Sequence, residues 1–370
     1  MKITAVTATL FAYRLPRQCT APGSFADANQ RTACLVEVSA GPDLTGIAIS
    51  HQASCTTISR LANELLIGDD LRSVAGLWQR MVSATSGGVH AGLLSHGAAI
   101  LDVALWDLKA KANDEPLWKT LGASRPRVNV HLASCSPTSN DADLSEWYAT
   151  IAREFGLRAG KLRVGADQPA DMRRLGLMRQ ALLQHASAPA LMIDADESWS
   201  PKQAIRNVRA MEEEFDLTWV ESPTLRGDFL GLKRVSDGIR AAVCAGRNLE
   251  FAQGYLPHLH HRALDVVQID TASCGITGAL QLADAAFGFE LPVALADSPG
   301  NTHAHLAGAL PYCMSMEVSC PASNDVFTTG VRIEKGWAIA GDRPGSGLEV
   351  DAKALASARL QNTPDGRRVA

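Results

Sequence analysis

The sequence predicts an α/β protein: a (β/α)8 barrel of the TIM type, preceded by an α+β region. Three observations predict it. From Val128 onward, eight short apolar runs alternate with helical stretches, the rhythm of parallel strands joined by crossover helices. Before Val128, alternating strand patterns give way to helical spacing. After the eighth run, a strand pattern returns at a point where a closed eight-stranded barrel has no place left for it.

In the first region, residues 2–13 and 32–39 alternate like strands, and Gly46–Ser50 reads as a third, so an antiparallel meander is the economical reading. Between the first two, Leu15 to Gln30 is rich in Pro, Gly, Ser and Asn and reads as a long loop, either a functional lid or disordered. Thr56–Leu66 and Ser73–Ser83 have helical spacing. His90–Ala112 places Leu94, Ala98, Leu101, Leu105 and Leu108 on one helical face. The eight barrel runs are Val128–Leu132, Gly160–Val164, Ala190–Asp194, Leu217–Glu221, Ala242–Ala245, Val266–Asp270, Pro292–Ala296 and Met314–Val318. Their near-continuous apolar character suits strands buried on both faces. Helices are expected over Leu144–Phe155, Ala170–His185, Pro201–Phe215, Phe229–Ile239, Thr277–Phe287 and His303–Ala309. The strand-like Gly336–Ala340 and the stretch up to Val350 are expected to return to the N-terminal region, and the last twenty residues to be a loosely tied terminus. The domain division that follows is 1–125, 126–325 and 326–370.

Composition narrows the class. Apolar residues make up 46% and charged residues 20% of the 370-residue chain, which fits a well-buried enzyme. The net charge of −4 comes without a basic block, so nucleic acid and anionic membranes are not expected partners. No apolar run reaches the roughly 18 residues of a spanning helix, and the start lacks the apolar core of a signal peptide. The eight cysteines have no metal-type spacing, which points to reduced thiols and a cytoplasmic protein.

Catalytic groups of a barrel sit at the C-terminal ends of its strands. There the chain carries Lys161 and Arg163, then Asp194 with Asp196, then Glu221. A base followed by two acids on successive strand ends is a layout for removing a proton next to a carboxylate.

The motifs Ala98–Lys111 with Pro116–Gly122, Asp265–Asp270 with Cys274–Thr277, and Asp342–Leu348 resemble those of the mandelate racemase and muconate-lactonizing branch of the enolase superfamily. The second has the form seen among its sugar-acid dehydratases. The resemblance implies an α+β domain capping the barrel and completed by the C-terminal segment. It also implies Mg2+ on carboxylates, a Lys or His base, and a metal-stabilised enediolate. A homo-oligomer and a small carboxylate substrate are implied too. Asp194 and Glu221 match the first two metal positions. Lys161 and Arg163 occupy the Lys-x-Lys-like motif, whose second member, usually the base, is Arg163 here. Lys161 is therefore assigned as base, provided a neighbouring cation lowers its pKa. The alternative is that both bind an anion or pair with Asp194 and Glu221. Arg163, which holds its proton, suits a carboxylate clamp.

Two further positions depart from that pattern. Where the third ligand is expected, in a Gly-Glu-Asn motif, the chain has Gly246-Arg247-Asn248. Three arrangements follow: Mg2+ held with Asn248 or Asp196 as substitute; Arg247 neutralising the carboxylates with no metal; or Arg247 turned toward substrate. Coulomb attraction at ~4 Å favours the second. The seventh strand ends in Asp297 and Ser298 where a His is common. Asp297, if burial raises its pKa, and His303 are the candidate proton donors. Asp265 or Asp270 thereby lacks its usual histidine partner, and Asp270 is assigned with Arg247, Glu317 and His51 to substrate binding. Arg17, Phe25 and Gln52 are specificity candidates by position, and His305 a structural histidine. The expected function is dehydration of a sugar acid or hydroxy acid through an enediolate. The alternatives are a racemase or epimerase, and a metal-free, non-catalytic homologue that binds small carboxylates.

Overall fold

The computed structural model describes residues 1–15, 30–51, 54–85, 91–135, 140–319 and 324–360. Arg17, Phe25 and Gln52 lie outside them. The N-terminal cap opens with an antiparallel meander, β1 (Ala5–Arg14), β2 (Gln30–Ser39) and β3 (Thr45–Ser50). The register runs from Ala5↔Ser39 to Arg14↔Gln30. Helices α1 (Cys55–Leu65), α2 (Val74–Thr85) and α3 (Ala91–Ala112) cover it. Ala98, Leu101, Leu105 and Leu108 of α3 are fully buried and join Val36, Val38, Ile58, Leu77 and Met81 in the cap core. A short α4 (Leu117–Thr120) leads to the barrel.

Eight parallel strands close on themselves: β4 (Arg127–Cys135), β5 (Ala159–Arg163), β6 (Ala190–Asp194), β7 (Leu217–Glu221), β8 (Ala242–Ala245), β9 (Val266–Ile269), β10 (Val293–Leu295) and β11 (Cys313–Val318). Closure is the β11–β4 pairing, Met316↔Val130 through Val318↔Leu132. The connecting helices are α5 (Asp141–Phe155), α6 (Gln168–Leu183), α7 (Pro201–Glu212), α8 (Phe229–Gly238), α9 (Phe251–His260), α10 (Thr271–Gly288) and α11 (His303–Ala307). The helix pattern of the sequence does not include α9. Its Gly254 and the internal Pro257 interrupt the pattern that signals a helix.

The C-terminal segment divides its pairing. β12 (Phe327–Thr328) pairs with β15 (Glu349–Val350), and α12 (Ala352–Ala358) follows. This part does reach the cap: Phe327 meets Phe11 and Tyr13 of β1 at ring-centroid distances of 6.4 and 5.1 Å. The Gly336–Ala340 run does not. β13 (Arg332–Glu334) and β14 (Trp337–Ile339) form a hairpin, and β14 adds antiparallel to β4, with Trp337 opposite Asn129. It uses the stretch of β4 that precedes the closure pairing, so barrel closure left an edge for it. Residues 351–358 are also better tied than expected. The Asp351 carboxylate caps α12 by accepting from the amides of Lys353 and Ala354.

The motif residues fasten the cap to the barrel. Asp107 of α3 accepts from the Ile47 amide of β3 (2.8 Å) and from the Ser346 amide and hydroxyl (2.6 and 2.8 Å). Asp102 accepts from the Thr277 amide and hydroxyl (2.7 and 2.6 Å). Trp106 Nε1 donates to the same hydroxyl at 2.8 Å. Gly275 (φ 64°) lets the chain pass Asp102: a Cβ there would lie 2.7 Å from Oδ2.

Candidate active site at the barrel mouth

Strand register builds the site. Arg163, Asp194 and Glu221 end β5, β6 and β7 and are direct neighbours across the sheet, Arg163↔Asp194 and Asp194↔Glu221. Lys161 stands two residues before Arg163 and so faces the same side of the pleat. It is 1% exposed, with its Nζ 2.6 Å from Glu221 Oε2 and 3.0 Å from Glu317 Oε1 of β11. Arg163 Nη2 is 3.2 Å from Asp194 Oδ2, and its Nη1 pairs with the exposed Asp196. Asp194 Oδ1 also accepts from the Asp196 amide at 2.9 Å.

Across the mouth, Arg247 follows β8. Gly246 before it has φ 138°, and a Cβ there would lie 2.3 Å from the Gln268 carbonyl, so glycine is needed for the turn that presents the arginine. The guanidinium, about one-third exposed, holds three acids. Nη1 donates to Glu317 Oε2 at 3.2 Å, Nη2 to Asp297 Oδ1, and Nε lies 3.7 Å from Asp270 Oδ2. Ser319 donates to the other Asp297 oxygen at 2.8 Å. Glu317 is thus shared between Lys161 and Arg247.

These contacts decide the protonation states. Burial disfavours charge on Lys161, but Glu221, Glu317 and Asp194 outweigh it and raise its pKa. The condition set for a lysine base, a dominant neighbouring cation, is not met. Burial raises Glu221 to about 7 and also raises Asp270. Asp297 differs from the expected proton donor. Burial would raise its pKa, but the Arg247 guanidinium, with Ser319, holds it below the carboxylate range. His303 is neutral, its pKa lowered by burial. Its Nδ1 donates to the Ala296 carbonyl (2.7 Å), so Nε2 is the acceptor toward the Thr271 hydroxyl (2.6 Å).

His51 comes from the cap, with its Nε2 hydrogen-bonded to the Tyr13 hydroxyl at 2.8 Å and the two rings stacked. A cavity of about 70 Å3 separates cap from barrel here, lined by His51, Arg247, Asp270, Asp297, His303 and Ser346 among others. The sequence reading did not single out Tyr13, Ser319, Thr271 or His131. Tyr13 and Ser319 matter only through contacts with residues far along the chain. Thr271, directly after Asp270, was within reach of the strand-end rule. His131, at the core of the barrel, sets Nδ1 3.0 Å from the Ser315 hydroxyl and its ring edge-on to Trp219. Burial lowers its pKa to about 3. His305 is fully buried in α11, away from the mouth cluster, and Asp265 accepts from the Val243 amide and Ser236 hydroxyl at the opposite end of the strands.

The donor set does not fit a divalent ion. Among the described residues, no group of three or more His, Cys, Asp or Glu is placed to hold a metal. Asp194 and Glu221 are adjacent, but each already faces its own cation. Asn248 is exposed, and its backbone carbonyl accepts from Arg226. Hard cations need several free oxygen ligands, and here the third strand end supplies a guanidinium.

Comparison with known proteins agrees with this architecture. Among the described residues no helix is long and apolar enough to cross a membrane. The chain is 28% identical over 309 residues to the 3,6-anhydro-alpha-L-galactonate cycloisomerase of Streptomyces coelicolor, covering 82% of this chain and 83% of that one. It is 29% identical over 316 residues to the L-talarate/galactarate dehydratase of Salmonella typhimurium, covering 84% and 77%. The crystal structure of L-talarate dehydratase from Polaromonas, complexed with Mg and L-glucarate, superposes with a TM-score of 0.82 at 27% identity, over 97% of this chain and 98% of that one. Residues 8–122 match the profile of the mandelate racemase / muconate lactonizing enzyme N-terminal domain, and residues 143–354 that of the enolase C-terminal domain-like family. With both profiles matched in order on a capped eight-stranded barrel, the chain belongs to the mandelate racemase / muconate lactonizing enzyme branch of the enolase superfamily.

Proposed function

We propose that the protein is an enolase-type lyase that removes the proton α to the carboxylate of a sugar acid or hydroxy acid and expels the β-hydroxyl as water. The observation that carries this reading is Lys161, buried at the barrel mouth between Glu221 and Glu317 with Arg163 and Arg247 on either side. An α-proton next to a carboxylate is very weakly acidic, so its removal needs positive charge fixed where the enediolate charge develops. Arg163 and Arg247, each partly open to solvent, suit the substrate carboxylate, and an arginine fork matches a carboxylate in two-point contact. Lys161 is the group beside the α-carbon. It rests as the ammonium, so it accepts a proton only after passing one to Glu221, 2.6 Å away. Its two carboxylate partners favour the ammonium, so the exchange runs uphill, and they hold the positive charge near the enediolate once the α-proton has been taken. Glu317, bonded to both Lys161 and Arg247, positions the two cations relative to each other.

His303 is neutral and accepts from the Thr271 hydroxyl, so it orients that hydroxyl and does not donate the proton; the proton passed to Glu221 is the one available to the departing hydroxyl. His51, held by the Tyr13 hydroxyl, reaches the same cavity from the cap and suits selection among substrates. The described cysteines Cys34, Cys55, Cys244, Cys274 and Cys313 are free thiols, which supports a reducing, cytoplasmic setting. A panel of sugar acids and hydroxy acids incubated in D2O tests the reading. It predicts a 2-keto-3-deoxy product from at least one of them. Deuterium at the α-carbon without elimination would favour an epimerase, and neither outcome across the panel would sink both.

A further inference from the structure

Every carboxylate at the barrel mouth already has a fixed cation, and the three cations are arranged as a chain. Arg163 joins Asp194 and Asp196. Lys161 joins Glu221 and Glu317. Arg247 joins Glu317, Asp297 and Asp270. Two of the positions that depart from the resemblance, Arg247 and Asp297, touch each other directly. They act as one charge pair, an arginine where a third acid would complete a ligand set and an acid on the neighbouring side to receive it. We propose that the Arg247 guanidinium takes the place of a divalent ion in this protein, so that the site receives its carboxylate substrate on the side-chain cations Arg163, Lys161 and Arg247, without a metal.

The physical case rests on competition and geometry. A metal at Asp194 and Glu221 must displace Arg163 and Lys161 from their partners, and freeing Lys161, which is 1% exposed, leaves a charge uncompensated out of reach of water. It would also sit near the guanidinium, whose repulsion is poorly screened there. Two oxygens from two carboxylates are too few to repay that cost for a hard cation that keeps near-octahedral coordination. The guanidinium has no such cost: it is covalently placed, permanently charged and already hydrogen-bonded. Its exposed third faces the cavity that Asp270 and Asp297 also line, where an incoming carboxylate would meet it. This inference rests on the carboxylate reading above but concerns the metal alone.

Titration of the full-length protein with Mn2+, followed by electron paramagnetic resonance and calorimetry, tests it without substrate. Wild-type protein should show no saturable site at millimolar metal. R247E adds the third carboxylate and should gain a saturable site, and the R247E/D194N double variant should lose it again. R247Q removes the cation without adding a ligand and should gain no site of comparable affinity. A saturable Mn2+ site in the wild type that disappears in D194N or E221Q would overturn the proposal, and this arm stands even if R247E fails to fold. EDTA separates the two readings. Turnover on a substrate acid that EDTA abolishes would overturn the metal-free site and leave the lyase. Absence of turnover together with absence of a Mn2+ site would overturn the lyase and leave the metal-free site.

Discussion

Lys161 has no solvent to fall back on. At 1% exposure it neutralises two acids that are themselves 3% exposed, so a variant that keeps the side-chain volume and removes the charge strands both. K161M should cost ~3–5 kcal/mol of stability, the range for breaking a buried pair by deleting one partner, as measured by chemical denaturation at neutral pH. A loss no larger than that of a surface lysine would mean that the pairs are not formed. His131 gives a pH-dependent counterpart. Burial lowers its pKa to about 3, against ~6.5 in an unfolded chain. Between those values the unfolded chain binds one more proton, so this residue's share of stability is full above the unfolded pKa and is lost as pH falls through the window. H131F removes that dependence. Wild type should therefore lose more stability than H131F between about pH 6.5 and 4, and parallel curves would contradict the assignment of a neutral, buried imidazole. That Lys161 and Glu221 belong together was legible in the sequence, because both close apolar strands. Which acid each cation holds was not, because strand-end position says nothing about side-chain reach across the barrel.

Strand existence was the most legible feature at the level of elements. The runs Ala190–Asp194, Leu217–Glu221 and Ala242–Ala245 coincide with β6, β7 and β8, because strands buried on both faces write an unbroken apolar signal. Helix α9 was hidden by Gly254 and Pro257, and the placement of β14 by the fact that an edge vacated at barrel closure leaves no mark in local sequence. The short motifs are now explained as fasteners rather than as catalytic signals. In the segment 342–348, Gly345 has φ 75° and passes so close to α3 that a Cβ would lie 2.5 Å from Asp107 Oδ1. G345A should cost ~1–2 kcal/mol for the left-handed backbone alone and should loosen the Asp107 contacts. Hydrogen exchange reads this at the amides of Ile47 and Ser346, both bonded to that carboxylate. Faster exchange at both is the expected result, and unchanged protection would show that the turn does not hold Asp107 in place.

The whole molecule is a charged mouth closed from above by a separately built cap. Two residues of the candidate site, His51 and its partner Tyr13, belong to that cap, and the aromatic contact of Tyr13 with Phe327 ties them to the segment that leaves the barrel. On the proposed reading, substrate choice and proton removal sit on different parts of the chain, joined by Asp102 and Asp107. The fold was readable from strand rhythm, and strand-end charges marked the pole where Lys161, Glu221 and Arg247 gather. The balance of charge at that pole was not, because it depends on Arg247 reaching Asp297, Glu317 and Asp270 from three other strands. The central claim is that this mouth removes an α-proton with Lys161 beside it. Exchange of the α-proton, followed by NMR in D2O over a panel of sugar acids and hydroxy acids, measures it directly for wild type and K161M. The account predicts deuterium incorporation or elimination by wild type on at least one acid, lowered by a factor of ~100 or more in K161M, the scale of a lost acid–base group. Exchange that persists unchanged in K161M, or none by wild type on any acid, would contradict it.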